Sequence, residues 1–170
     1  PSGRIPIPAS RTRWQRMCVA RPVGPVIDAA AHKTIADHIT QAEAEGRLIH
    51  TLQSPSTGTF ISPAVIRVNG IADMTREIFG PVLVLIPYDG IDNAVEIAND
   101  SPYGLAGAVF AADKETGIAI AKRIRTGQVT VNGGAFNPNA PFGGYKQSGV
   151  GRELGEYGFE EFLEIKSLQL

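Results

Sequence analysis

The sequence predicts an α/β fold: a mainly parallel sheet with flanking helices. Three observations carry that expectation. Short β-rich runs alternate with helical stretches of about 10–15 residues, the pattern of parallel strands joined by crossover helices. The run Val82-Leu83-Val84-Leu85-Ile86 is continuously apolar, as expected of a strand covered on both faces. A glycine-rich stretch over 133–151 follows a strand-like segment, and long loops at strand ends are where α/β proteins bind ligands.

The elements follow in order. Residues 1–22 are rich in proline and arginine, lack apolar periodicity, and predict an irregular arm. Asp28 is placed to cap a helix, because its carboxylate can accept orphan backbone N–H groups. Ala31, Ile35, Ile39 and Ala42 follow at helical spacing, and Gly46 stops the helix. Arg47–Gln53 alternates like a strand, 54–58 is a turn by composition, and 59–68 is β-rich with a break at Pro63. Residues 74–79 predict one helical turn, ended by Gly80-Pro81, before the 82–86 strand. Asp92 is expected to cap a second helix running to Asn99, and 107–111 reads as a short strand. Asp113 is expected to cap a third helix ending at Gly127, and 128–131 as the next strand. A helix is expected from Arg152 to about Glu161, and the alternation of 164–170 predicts a final strand.

Composition narrows the function classes. The chain has 170 residues, 43% of them hydrophobic, with 16 Lys+Arg against 17 Asp+Glu and a net charge of −1. A chain of this length should bury about 70% of its unfolded surface. The charge balance argues against a basic nucleic-acid footprint and against a disordered polyelectrolyte. A single cysteine excludes an internal disulfide framework and a Cys-rich zinc site. No run reaches the length of a membrane span, and the first residues have no signal-peptide core, so the expected compartment is the cytoplasm.

Candidate chemistry is sparse. His32 and His38 are six apart on one helix and face different ways, and neither they nor His50 form a metal-ligand pair, so no metal site is expected. Gly149-Val150-Gly151-Arg152-Glu153-Leu154-Gly155 is a poor dinucleotide loop, with its third glycine one position late and no buried strand before it. Cys18 is the sole thiol. Arg16 and Arg21 could lower its pKa, but no base follows nearby, and it is not expected to be catalytic.

Two segments resist a bland reading: Glu77-Ile78-Phe79-Gly80-Pro81-Val82, and Val131-Asn132-Gly133-Gly134 leading to Pro141-Phe142-Gly143-Gly144-Tyr145-Lys146-Gln147-Ser148-Gly149. With Gly24-Pro25-Val26-Ile27 and Asn99-Asp100-Ser101-Pro102-Tyr103-Gly104-Leu105, they run in the order found in the NAD(P)-dependent aldehyde dehydrogenase superfamily. Residues 23–170 resemble the C-terminal part of that family. The resemblance implies an incomplete catalytic domain over 23–163 and an oligomerisation-type strand over 164–170. It implies that Glu77 holds the nicotinamide-ribose hydroxyls, which suits a carboxylate acceptor, and that Phe79 packs beside the ribose and nicotinamide. Leu105 and Phe142 match walls of the substrate pocket, and Phe136 lies in the variable substrate loop. The family's nucleophile sits in a Gly-Gln-x-Cys-x-Ala context, which Met17-Cys18-Val19-Ala20 matches only in part and much closer to Glu77 than in the family.

Most of the family's NAD domain, its general base and its oxyanion-hole asparagine have no counterpart in the sequence. The resemblance therefore implies the C-terminal portion of an aldehyde-oxidising enzyme, inactive alone, with NAD or NADP as the family cofactor and weak or no binding by this chain. The expected partners are further copies of the chain or the missing upstream half, without nucleic acid or membrane. Two alternatives remain: one chain of a two-chain enzyme, and a non-catalytic oligomerisation module.

Overall fold

Asp28 starts the first helix through its side chain: Oδ1 accepts the Ala31 backbone N–H at 2.7 Å, which satisfies one orphan donor of the first turn. In the computed structural model, which describes residues 23–74 and 76–170, helix α1 spans Ala29–Ala44 and stops ahead of Gly46, at φ 68°. Hydrogen bonds from Gln41 Nε2 (2.8 Å) and Arg47 Nε (2.6 Å) hold the Glu45 carboxyl below its ordinary range at this helix end.

The chain divides into two compact units, one ending at Asp89 and one running from Gly90 to Leu170. In the first, α1 packs on strands β1 (Leu48–Thr51) and β2 (Ala64–Arg67), and β3 (Val82–Leu85) completes a sheet of order β1-β2-β3. β1 pairs antiparallel to β2 with a register irregularity between Leu48 and His50. β2 pairs parallel to β3, from Ala64 opposite Val82 to Arg67 opposite Leu85. Pro63 has no N–H to give to a ladder, and β2 begins directly after it. Ile35 and Ala42 from α1, with Ala64, Ile66 and Val68, form the buried core of this unit.

The second unit contains α2 (Gly90–Asn99), β4 (Ala106–Val109), α3 (Lys114–Ala121), β5 (Gln128–Val131) and α4 (Gly155–Glu160). β4 and β5 pair in parallel, from Ala106 opposite Gln128 to Val109 opposite Val131, with α3 as the crossover packed on both. Asp113 caps α3, its carboxylate accepting the Thr116 N–H and hydroxyl at 2.8 Å each. A Cβ at Gly117 would lie 2.6 Å from Val131 Cγ1, so the helix can approach the strand this closely only because position 117 lacks a side chain.

Three expectations are corrected. No helical turn forms at 74–79 among the described residues: a 3-10 turn precedes it at Ile71–Asp73, and Phe79 takes φ 52°, outside helical space. Asp92 is not a cap, because α2 already starts at Gly90. It lies in the first turn and pairs with Arg123 at 2.6 Å. Leu83 in β3 is exposed, so among the described residues the strand is not covered on both faces. Residues 164–170, expected to pair with another chain, have no ladder partner among the described residues, and Ile165 is 100% exposed. Among the described residues of the second unit, Val95 and Val109 are the buried large apolar side chains. No described helix is long and apolar enough to cross a membrane.

Asp113 also gives the fold a pH dependence. Hydrogen bonds from the Thr116 backbone and hydroxyl hold its carboxyl below the usual carboxylate range. A folded pKa below the unfolded one stabilises above the unfolded value, and that contribution is lost as pH falls through the folded value. Asp113→Asn caps without titrating, so its urea midpoint should fall less than that of the native chain between about pH 6 and about pH 3. Equal losses would show that the cap does not carry this dependence.

Candidate functional site

In the first unit the site begins where the chain turns into β3. A Cβ on Gly80 would lie 2.6 Å from Cδ1 and 2.9 Å from Cγ1 of Ile35, so the backbone here rests directly on the buried face of α1. The Val82 N–H closes back on the Gly80 carbonyl at 2.7 Å, and the Ala64 N–H binds the Pro81 carbonyl at 3.0 Å. With 80–82 pinned, Phe79 is held in the left-handed region at φ 52°, and its ring stands 79% exposed. A left-handed phenylalanine is strained, and such strain persists only where the surroundings over-determine it. Glu77, two positions earlier, is exposed, and among the described residues its carboxylate has no hydrogen bond or ion pair. An open carboxylate can accept two hydroxyl donors, and a free aromatic face beside it can stack on a flat ring.

In the second unit two loops interlock. The Gly104 N–H donates to Ser148 Oγ at 2.9 Å, while its carbonyl accepts the N–H of Gly127 (2.9 Å) and of Tyr145 (2.8 Å). The Gln147 N–H binds the Pro102 carbonyl at 3.1 Å. Lys146 Nζ donates to the carbonyls of Asn99 and Ser101, both at 2.7 Å. The Asn99 side chain adds two more links, donating to Arg123 O at 2.9 Å and accepting the Arg125 N–H at 2.7 Å. Residues 145–148 of the glycine-rich loop are thus tied to the segment that leads into β4.

The aromatic candidates sit on this frame. Phe142 exchanges two 2.6 Å backbone hydrogen bonds with Glu153, fixing its main chain. Its ring meets that of Phe136 edge-on, centroids 6.3 Å apart at 79°, a favourable geometry for aromatic rings. Leu105 follows directly after the doubly pinned Gly104 and is exposed. Asn132, at φ 49°, accepts the Ala111 N–H at 2.8 Å and so ties the end of β5 to the end of β4. Arg152 lies over the Tyr145 ring, 5.1 Å from its centroid, and donates to Gly144 O.

The sequence-derived residues thus fall into two groups. Glu77 and Phe79 share one segment of the first unit, and Leu105, Phe136 and Phe142 belong to the second, where the two rings touch. Cys18 lies outside the described residues. His32 Nε2 bonds the Phe60 carbonyl at 3.0 Å, whereas His38 Nε2 and His50 Nε2 are enclosed without a hydrogen-bond partner among the described residues. Among the described residues no group of three or more His, Cys, Asp or Glu side chains could hold a metal ion. Asn99, Asn132, Lys146 and Ser148 stand in the motifs that carry the resemblance, but the sequence alone assigns none of them a role. The one available signal was a lysine and a serine set among glycines, where a polar side chain serves the backbone.

The sequence profile of the aldehyde dehydrogenase family matches residues 15–168. The chain belongs to the aldehyde dehydrogenase family. It is 46% identical over 153 residues to a 3-succinoylsemialdehyde-pyridine dehydrogenase of a Pseudomonas species, an overlap of 86% of this chain and 32% of that protein. It superposes with a TM-score of 0.76 and 45% identity on an aldehyde dehydrogenase of Mycobacterium tuberculosis complexed with NAD+, covering 84% of this chain and 31% of that one. A mutant aldehyde dehydrogenase C of Pseudomonas syringae, complexed with NAD+ and octanal, matches with a TM-score of 0.75 and 44% identity, over 83% and 30% of the two chains. The chain spans about a third of the length of the curated aldehyde dehydrogenases it matches.

The closest approach in the interlock is between Gly127 and Gly143. A Cβ at position 127 would overlap the Gly143 carbonyl oxygen, which is backbone and cannot swing aside. Gly127→Ala should therefore destabilise the second unit by at least about 3 kcal/mol, read as a loss of its cooperative urea transition. A midpoint within error of the native chain would show that the loop contact is not tight in solution.

Proposed function

We propose that this chain is the C-terminal third of an NAD(P)-dependent aldehyde dehydrogenase that oxidises an aldehyde to a carboxylic acid, and that it is inactive alone. The family membership over 15–168 carries this reading, together with a span of about a third of its relatives. Glu77 accepts the nicotinamide-ribose hydroxyls and Phe79 packs beside the ring. The open carboxylate and the exposed, left-handed phenylalanine fit that use. NAD(P)+, when bound, takes up the hydride. Leu105, Phe136 and Phe142 wall the aldehyde pocket and exclude water from it. Residues 164–170 add a strand to another chain: Ile165, Leu168 and Leu170 are exposed and their backbone has no ladder partner here, the condition under which strands pair between chains. The working compartment is the cytoplasm.

The isolated chain with NAD+ and a short or aromatic aldehyde should give no NADH absorbance above buffer. Turnover that disappears on Cys18→Ser would overturn the inactive reading and make Cys18 the nucleophile. Calorimetry should detect no tight cofactor binding, since Glu77 and Phe79 grip only the nicotinamide end. A micromolar dissociation constant, about −8 kcal/mol, would contradict that.

Light scattering at micromolar concentration should report a dimer or larger species, and deleting Lys166–Leu170 should shift it towards monomer or aggregate. A clean 18.1 kDa monomer of the full chain would remove the strand-exchange reading.

A further inference from the structure

We infer that Lys146 is a positioning residue for the aldehyde-pocket wall, an inference that rests on the assignment of Leu105 and Phe142 to that wall. Lys146 lies at the start of a 3-10 turn, Lys146–Ser148, and takes φ 55°, a conformation a lysine adopts only under constraint. Its ammonium reaches back to two carbonyls, Asn99 O and Ser101 O, and among the described residues no carboxylate pairs with it. Asn99 is the last residue of α2, so the cation sits against the negative end of that helix, where its charge is favoured. A charge-assisted bond to each of two carbonyls is stronger than a neutral one.

The consequence is geometric. Between the anchored carbonyls and Leu105 lie three residues, and the last of them, Gly104, is held by Ser148 Oγ and the Tyr145 N–H. On the other side of Lys146, Tyr145 is three residues from Phe142. Beside the bonds at Gly104 and Pro102, Lys146 is thus the charged side-chain anchor between the segment that presents Leu105 and the loop that presents Phe142. A methionine here would keep the apolar stem and lose both hydrogen bonds. An arginine would keep the charge and the donors.

The test is amide hydrogen exchange on the full chain, followed by kinetics. In Lys146→Met, the amides of Gly104, Gly127 and Tyr145 should exchange at least about tenfold faster while the β4–β5 ladder keeps its protection. Lys146→Arg should restore them, and Ser148→Ala should free mainly the Gly104 amide. In the aldehyde-oxidising assembly, Lys146→Met should raise the aldehyde KM about tenfold and leave the NAD+ KM in place. Unchanged exchange at the three amides would overturn the inference. So would loss of protection throughout β4 and β5, or equal shifts in both KM values. If Leu105→Ala and Phe142→Ala leave the aldehyde KM untouched, the pocket assignment fails, while released amides in Lys146→Met would still support Lys146 as the anchor of the two loops.

Discussion

The meeting of the two loops in the second unit depends on the backbone of one residue, Gly104. Its N–H has one partner and its carbonyl two, drawn from two stretches of chain: the 145–148 turn, through Ser148 and Tyr145, and the entry to β5 at Gly127. Each bond contributes about 1 kcal/mol, and each would cost more than that if one partner were removed and the other stayed buried. A Cβ at position 104 would come within 2.9 Å of both Arg125 O and Tyr145 Cβ. The absence of a side chain here, and at Gly127, lets backbone meet backbone. The aromatic pair, the pinned Leu105 and the Lys146 anchor all take their positions from that meeting.

Local chemistry was readable from the sequence, and partnership was not. Asp28 and Asp113 cap their helices because a cap involves a residue and the N–H three places on. Asp92 has the same chemistry, but Gly90 opens its helix first, and the carboxylate is taken by Arg123, thirty-one residues away. The apolar run at 82–86 forms a strand over Val82–Leu85, yet its coverage is set by what packs on its faces, and Leu83 stays exposed. Residues 164–170 alternate as a strand should, but alternation supplies no hydrogen-bond partner.

The site shows the same division. Glu77, Phe79, Leu105, Phe136 and Phe142 were reached through motifs whose order matches a family. The meeting of Phe136 with Phe142 and the left-handed turn at Phe79 come from the structure alone. Lys146, Ser148, Asn99 and Asn132 act on backbone groups far away in sequence. No periodicity or spacing rule marks such contacts, because their partners carry no side-chain signature.

The reach of these links bears on how the chain folds. Ser148 meets Gly104 across 44 positions, and Lys146 meets Asn99 across 47. The intervening loop contains the whole β4–α3–β5 unit. Closing so long a loop before that unit has formed costs chain entropy with no local gain in return, so non-local contacts of this kind form late. The helix and the two parallel strands come first and shorten the effective loop. Lys146 is therefore expected to latch onto Asn99 and Ser101 only after that unit has formed, and the candidate pocket loops to take their shape last.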